Sequence, residues 1–584
     1  MEVFRRHRRL LIRTGCALAC IGAIGAVWLA FGHRLIETAY VREQRTFLRN
    51  IIPDRDLQPL EQYQVQADRL VGGFLLLALG VVALLVPGAF CDRWMARLYG
   101  AILGSCEWLL ARRRMLIVVG GAVSVALLSW IAIAVLQTFP NSSDEYCYIY
   151  QALTWRAGRL WNPAHPLQPF FAFYHVRNLD GRVFSVFPIG WPFVLLVALV
   201  AHVPLWLVNP LLATLSLVVL FALTRRLFDE RIALLTVATT FVSSFFLFNS
   251  ASFFSHAWCL LLVLLFVHAA LRAMDEDSVL QAALAGLWFG AAFVTRYYSA
   301  LLCAMPVAVL FLTRHRRRWR LLPAVAAGGL PLAIVFFWYN RALTGSPFRL
   351  PMSGFESYDA LWFRATILTR GVEILGSNLA NLVYWTPPAV LFLFFASRRE
   401  RRDYAEGGFG ATLFWCLVVG YYFYVAVGGN EYGPRYYYEA LPFVSMLAVW
   451  LVFREQRYEE KPPRARWQFY VFVLSVVVSV PLFAWHCAVE RQVIRERTDL
   501  YRRVEQARIT NALVFISTEV GARRPMPVLD LTRNGVDDGA SVLYVHDLGA
   551  ANRTLMAMYP DKVGYRYRYD KPRREGVLER LTGE

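Results

Sequence analysis

The sequence predicts a polytopic α-helical membrane protein of about 13 transmembrane helices that ends in a small soluble α/β domain. Three observations predict this class. Of 584 residues, 57% are hydrophobic and only 18% charged, against ~25% charged in soluble domains, and the mean hydropathy is +0.41. Apolar runs of bilayer length alternate with arginine clusters. Past residue 487 the chain turns polar, with 17 Lys/Arg and 14 Asp/Glu in residues 488–584. A soluble enzyme, a disordered chain and a disulfide scaffold are thereby excluded. The nine cysteines are scattered; Cys16, Cys20, Cys259, Cys303 and Cys416 lie inside apolar runs, with no CxxC pair or metal-ligand spacing. The 15% aromatic content suits interfacial belts.

A spanning helix needs ~20 apolar residues. Spans are predicted near 14–31, 70–91, 115–137, 206–224, 232–249, 257–273, 279–295, 299–313, 321–339, 384–397, 410–427, 437–453 and 468–487. The first is too long for a cleaved signal, and no small-residue cleavage motif follows it before Glu37. Basic clusters fall between spans at Arg5–Arg13, Arg112–Arg114, Arg225–Arg226, Arg314–Arg320, Arg398–Arg402 and Arg454–Arg466. This is the positive-inside pattern: Met1 is expected inside and Glu584 outside. The clusters account for most of the net charge of +19, leaving no basic patch for nucleic acid. The stretch 186–204 would invert the topology if it crossed. It is therefore read as a helix along the outer interface, entered through Pro188 and Pro192.

The outer side then carries loops 32–69, 138–205, 340–383 and 428–436 and the tail 488–584, where Ala512–Ile516, Val528–Leu531 and Val542–Val545 read as strands. The domain division is 1–114, an extra pair of spans with an external loop; 115–487, the transmembrane core with external loop 138–205; and 488–584, a soluble extracytoplasmic domain. There is no internal repeat.

The segment richest in chemistry is 140–161, PNSSDEYCYIYQALTWRAGRLW. Asn141, Ser142 and Ser143 are N-cap residues, Asp144 and Glu145 fall in the first helical turn, and Gly158 is a stop. The positive end of the helix dipole favours both carboxylates ionised. Solvated acids of a capping motif are one reading. The other is a base fixed at the outer end of a span, where it can meet a lipid-borne substrate.

An Asp-Glu pair there, followed by an aromatic helix ending in AGRLW, resembles the first external loop of GT-C glycosyltransferases. The nearest branch is the protein O-mannosyltransferase and lipid A aminoarabinose transferase group. Further similarities follow in order: Val186–Pro192 (VFPIGWP) to a proline-rich segment opening an interfacial helix, Asn209–Phe228 to the second core span, Gly286–Arg296 (GLWFGAAFVTR) to a G-x-x-x-G-x-x-x-x-T-K/R segment, and Gly433–Pro442 (GPRYYYEALP) to a late external loop. The resemblance covers about residues 115–487. The sequence departs from the family in its two leading spans and in lacking the lysine before the double proline, where Ser185 and Phe187 stand.

The resemblance implies a membrane glycosyltransferase that uses a polyprenyl-phosphate monosaccharide donor. The sugar, a hexose or pentose, would pass to a lipid, glycan or protein acceptor at the extracytoplasmic face of a cell (inner or plasma) membrane. It assigns the base to Asp144, with Glu145 beside it. A base must take the acceptor proton, and cations must receive charge on the departing phosphate. Arg296, at the outer end of a span, either binds that phosphate or snorkels. Arg435 either does the same or stacks in an aromatic belt with Tyr436. Tyr297, Tyr436 and Trp161 are ring-stacking candidates for the sugar. His256 is either a packing histidine or a neighbour of the Asp144 loop; His165 and His175 lie in the large loop. No cofactor is indicated, and a divalent metal ion is left open, since some relatives place one near the position of His256.

Two other classes use the same lipids. A transporter or flippase of lipid-linked sugars would want midplane charges and broken helices, whereas the polar residues gather at one face. An oligosaccharide polymerase or ligase moves whole chains. Neither sugar nor acceptor is named by the sequence.

Overall fold

The computed structural model describes residues 88–314, 316–353, 408–424, 431–458, 463–522, 524–536 and 539–581, with residue 460 and parts of 375–386. The predicted span 14–31, and most of 70–91 and 384–397, lie outside the described residues. Helices dominate: α1 Gly88–Leu110, α2 Arg113–Trp130, α3 Ser143–Arg156, α4 Gly190–Val200, α5 Leu205–Leu227, α6 Glu230–Phe241, α7 Ser244–Ala251, α8 His256–Glu276, α9 Val279–Arg314, α10 Leu322–Thr344, α11 Gly408–Tyr422, α12 Leu441–Phe453 and α13 Pro463–Arg497. Among the described residues seven helices are long and apolar enough to cross a membrane, or eight if the bent pair α6–α7 is one span. Their outward sides carry exposed Ile117, Val118, Ile334, Trp338, Val477 and Val480, apolar surface that water does not favour and lipid does.

Several elements depart from the sequence reading. The stretch 92–110, expected as a cytoplasmic loop, is helical and buries Tyr99 against Phe453 and Phe469 at 5.4 and 5.1 Å between ring centres. The span expected at 232–249 breaks after Phe241 and bends by 67°. Residues 528–530, expected as a strand, form a 3-10 turn. Helix α4 has 11 residues, about 16 Å at 1.5 Å per residue, too short to cross a bilayer.

Helix α9 is two arms joined at Arg296, whose φ of −148° and ψ of 77° are not helical. The arms run in opposite senses. Phe293 of the first arm meets Phe336 of α10 at 5.3 Å, and lower down a Cβ at Gly286 would overlap the Val325 carbonyl. Residues 283–293 thus run parallel to α10. The second arm lies on α11 instead: the Tyr298 hydroxyl donates to the Gly420 carbonyl at 2.7 Å. The Gly286-x-x-x-Gly290 spacing is therefore a close-packing device, small residues letting two backbones approach.

The bundle has two chemically distinct ends. One carries Arg113, Arg225, Arg226 and Arg320 paired with exposed carboxylates; this is the arginine face. The other, the loop face, carries α3, a three-stranded sheet and the tail. Strands β1 Asn162–Pro163, β2 Val176–Leu179 and β3 Arg182–Ser185 pair antiparallel in the order β1-β3-β2. The turn Asp180-Gly181 takes positive φ at both residues, 51° and 79°, as a two-residue hairpin demands.

The tail forms a four-stranded sheet, β5-β4-β6-β7, from β4 Ala512–Ile516, β5 Val542–His546, β6 Val563–Asp570 and β7 Glu575–Arg580. The first three are parallel and β7 is antiparallel to β6. Strand β4 is buried at every residue, as a central parallel strand covered on both faces should be. One face packs on Leu500 and Val504 from Asp499–Gln506; the other receives Phe170 from the large loop. The tail thus lies against the loop face.

Candidate active site

Ser142 caps α3, accepting from the Glu145 amide, and Glu145 returns to the Ser142 amide at 2.9 Å. This capping box fixes the first turn. Adjacent residues point about 100° apart on a helix, so the two acids part company. Glu145 turns inward, is fully buried, and accepts from the Phe253 amide at 2.8 Å. Burial raises its pKa to about 7, helped by Glu431, against the lowering by the Phe253 and Ser142 amides.

Asp144 turns the other way, into a cluster of charges. Its Oδ1 lies 3.2 Å from His175 Nδ1, and its Oδ2 accepts from Arg435 at 3.3 Å. Burial alone would raise its pKa. The His175 hydrogen bond and charge, with Arg435 and Arg296, outweigh that and hold it at about 2. Its side chain is 23% exposed, against 11% for Arg435 and 8% for His175. The ionised oxygen is therefore the accessible member of the group.

Arg435 also pairs with Glu431 at 3.4 Å and lies 3.9 Å over the Phe254 ring. Arg296, freed at the helix break, reaches Ser255 at 3.4 Å and Glu439 at 3.5 Å, with Tyr436 5.6 Å below its guanidinium. His256 meets the same Glu439 at 3.4 Å. Among the described residues Arg435 Nε is buried without a hydrogen bond, and the buried Glu439 carboxylate has only the weak Cys259 thiol as a donor beside its ion pairs. Such groups are costly unless satisfied, and they are where a polar ligand gains most.

Asp144, Arg435, Arg296, Tyr436 and His256 are thus brought into one neighbourhood, with Glu145 as its internal brace. Tyr436 stacks on Tyr421 at 4.3 Å. Tyr297 sits behind Arg296, its hydroxyl on the Met352 sulfur, lining a small cavity with Val186 and Pro188. Trp161 is not with the others: it lies under Arg182 at 5.1 Å, in a separate cluster with Phe184 and Tyr339. Among the described residues no group of three or more His, Cys, Asp or Glu could hold a metal ion.

The sequence reading missed Glu431, Glu439 and Asp530, and named His175 without a role. Glu439 carried a signal, an acid at the start of an apolar run, which a membrane span admits only with a partner. On the side of the Trp161 cluster, whose Trp155 and Tyr339 line it, an apolar cavity of about 600 Å³ opens with Leu160, Phe193, Val294, Leu332 and Trp338.

The tail closes over this site. Arg497 donates to the carbonyl and side chain of Asn141 at 2.8 and 2.7 Å, and Arg524 to the Glu431 carbonyl at 3.0 Å. The Tyr146 hydroxyl donates to the Asn534 carbonyl, and Arg533 stacks 4.5 Å from Phe139.

Residues 189–339 match the family described as dolichyl-phosphate-mannose-protein mannosyltransferase. No curated protein matches the chain significantly in sequence. ArnT from Cupriavidus metallidurans in the apo state shares the fold: TM-score 0.50, 11% identity, covering 82% of this chain and 98% of that one. The same protein bound to undecaprenyl phosphate gives 0.47 at 11% identity, over 79% and 98%. The Archaeoglobus fulgidus oligosaccharyltransferase in its apo form gives 0.41 at 12%, over 64% and 56%.

Proposed function

We propose that this chain is a GT-C membrane glycosyltransferase, a reading supported by the matched segment and the fold, and that it transfers a monosaccharide from a polyprenyl-phosphate donor. The acceptor is a hydroxyl or phosphate presented at the loop face, which is the extracytoplasmic one, of a cell membrane. The observation that carries this reading is Asp144: an ionised, partly open carboxylate 3.3 Å from a buried arginine.

The roles follow from the chemistry. Asp144 takes the acceptor proton as the acceptor oxygen bonds the anomeric carbon. The bond from that carbon to the phosphate oxygen breaks, and its electron pair leaves with the polyprenyl phosphate. Arg435 and Arg296 receive the phosphate charge, and Arg435 suits it through its planar fork. Attack opposite the leaving group inverts the anomeric centre. The apolar cavity of about 600 Å³ is of a size and character to hold part of a polyprenyl chain. The domain division at 114 and 487 stands as part of this reading.

The experiment is transfer by purified Asp144→Asn, which keeps the shape and removes the base. Turnover should collapse while donor binding persists; full activity overturns the assignment. A reporter fused after Glu584 should be active only outside the cytoplasm, and cytoplasmic activity would overturn the sidedness.

A further inference from the structure

Beyond the base itself, the reading above leaves two groups unused. His175 is nine-tenths buried and sits at a φ of 65°, a left-handed conformation that costs energy for a residue with a Cβ. Its backbone is held there from one side, the Val186 amide donating to its carbonyl at 3.0 Å. From this position Nδ1 reaches both Asp144 at 3.2 Å and Ser143 at 3.0 Å. A strained backbone that delivers an imidazole to a carboxylate is a feature kept by its surroundings.

The second group comes from the tail. The Tyr174 amide, next in chain to His175, donates to the Leu529 carbonyl at 3.2 Å, and Thr532 donates to the Ala172 carbonyl at 2.8 Å. These bonds pin the turn 528–532 against the segment 172–175. Asp530 lies between them, 5% exposed, and its Oδ1 has no hydrogen-bond partner among the described residues. Its electrostatic neighbours are Arg533, His175, Arg497 and Asp144.

We infer that Asp144, His175 and Asp530 act as one unit, so that the carboxyl-terminal tail supplies part of the reaction centre. His175 is a positioning residue: its Nδ1–H holds the Asp144 carboxylate ionised and turned toward the acceptor. Asp530, carried by the tail turn that bonds to Ala172 and Tyr174, lies within electrostatic reach of the imidazole and biases its orientation. Burial pushes the Asp530 pKa up to about 7, against the lowering by Arg533, His175 and Arg497. The inference rests on the base assignment of Asp144.

The test has two arms on the full-length protein in nanodiscs. The first needs no turnover. With 15N-labelled histidine, His175→Asn removes one of the ten histidine signals and identifies it. Asp144→Asn and Asp530→Asn should each shift that signal, whereas Asp561→Asn, an exposed tail carboxylate, should not. The second arm measures undecaprenyl phosphate released from undecaprenyl-phosphate monosaccharides, a product common to every sugar. Asp530→Asn should lower turnover about 10-fold, the size of an outer-shell loss, with little change in donor KM. His175→Ala should lose about 100-fold. His175→Asn should regain about 10-fold of it, since the amide nitrogen can stand where Nδ1 stood. If Asp530→Asn does not fold, Asp530→Ser carries the same arms. Full turnover in Asp144→Asn overturns the base reading. An inactive Asp144→Asn beside an Asp530→Asn with wild-type turnover and an unmoved His175 signal overturns this inference alone.

Discussion

The two ends of the helix bundle both pair arginines with carboxylates, and they do so in opposite ways. On the arginine face the bonds are short and wet: Arg226 to Asp275 at 2.8 Å and Arg272 to Glu276 at 3.0 Å, with carboxylates 54% and 40% exposed. In the Asp144 cluster on the loop face they are longer and dry: Arg435 to Asp144 at 3.3 Å and Arg296 to Glu439 at 3.5 Å, with Glu439 fully buried. Better geometry does not mean more consequence. Exposed pairs contribute little because water and salt compete for both partners. Buried pairs cannot be left half made, so the imperfect ones mark where something else completes them.

The largest break in this contrast is Asp144→Asn. Turnover should fall about 10²–10⁴-fold, the usual contribution of a placed base. Glu145→Gln, one residue along, should lower thermal stability more than the chemical step, read as melting temperature against kcat. Next come Arg435→Ala and Arg296→Ala. Each should weaken transition-state stabilisation by ~2.7–4 kcal/mol, seen in kcat/KM for the donor. Lysine should restore little, having one point charge where the guanidinium has a fork.

A smaller effect is carried by pH. Asp144 is depressed to about 2, so its stabilising contribution is present above its unfolded pKa and is lost as pH falls from ~4 toward 2. Glu145 is raised to about 7. The unfolded chain releases that proton near pH ~4.3, so this group lowers stability as pH rises from there to 7. Glu145→Gln should flatten that decline in a melting-temperature series from pH 5 to 8, and an unchanged slope would count against the buried carboxyl. Smallest of all is Arg226→Ala on the arginine face: unchanged turnover and a stability within ~0.5 kcal/mol of the parent, by denaturant titration. A loss as large as that of Arg435→Ala would erase the contrast between the ends.

What was legible in the sequence divides along the same line. Local chemistry was: the Ser142 cap with its two acids, the helical runs at 206–224, 257–273 and 321–339, and an arginine at the end of a span. Each is written in a short window of residues. What could not be read was made by distant contacts. Arg296 needs Glu439, 143 residues later in the numbering; His175 is held in part by Leu529, which bonds its neighbour Tyr174. The helix 92–110 was missed because its charged residues read as a loop, while Tyr99 is buried by Phe453 from the far end of the chain. The bend after Phe241 has no proline or glycine to announce it. Trp161 was a reasonable sugar platform by type, but Arg182 and Phe184 hold it elsewhere.

The docking of the tail has a consequence for how the protein is made. Arg497, Arg524 and Leu529 bond to Asn141, Glu431 and Tyr174, so residues made later roof residues made earlier. A ribosome that stalls between codons 488 and 496 releases a chain with its described apolar helices made and its charged hollow unroofed. Such a product would be inserted yet idle, and it would leave Asn141 and Tyr174 open to solvent and to proteases. The hollow is complete only once residues 497–534 have been made.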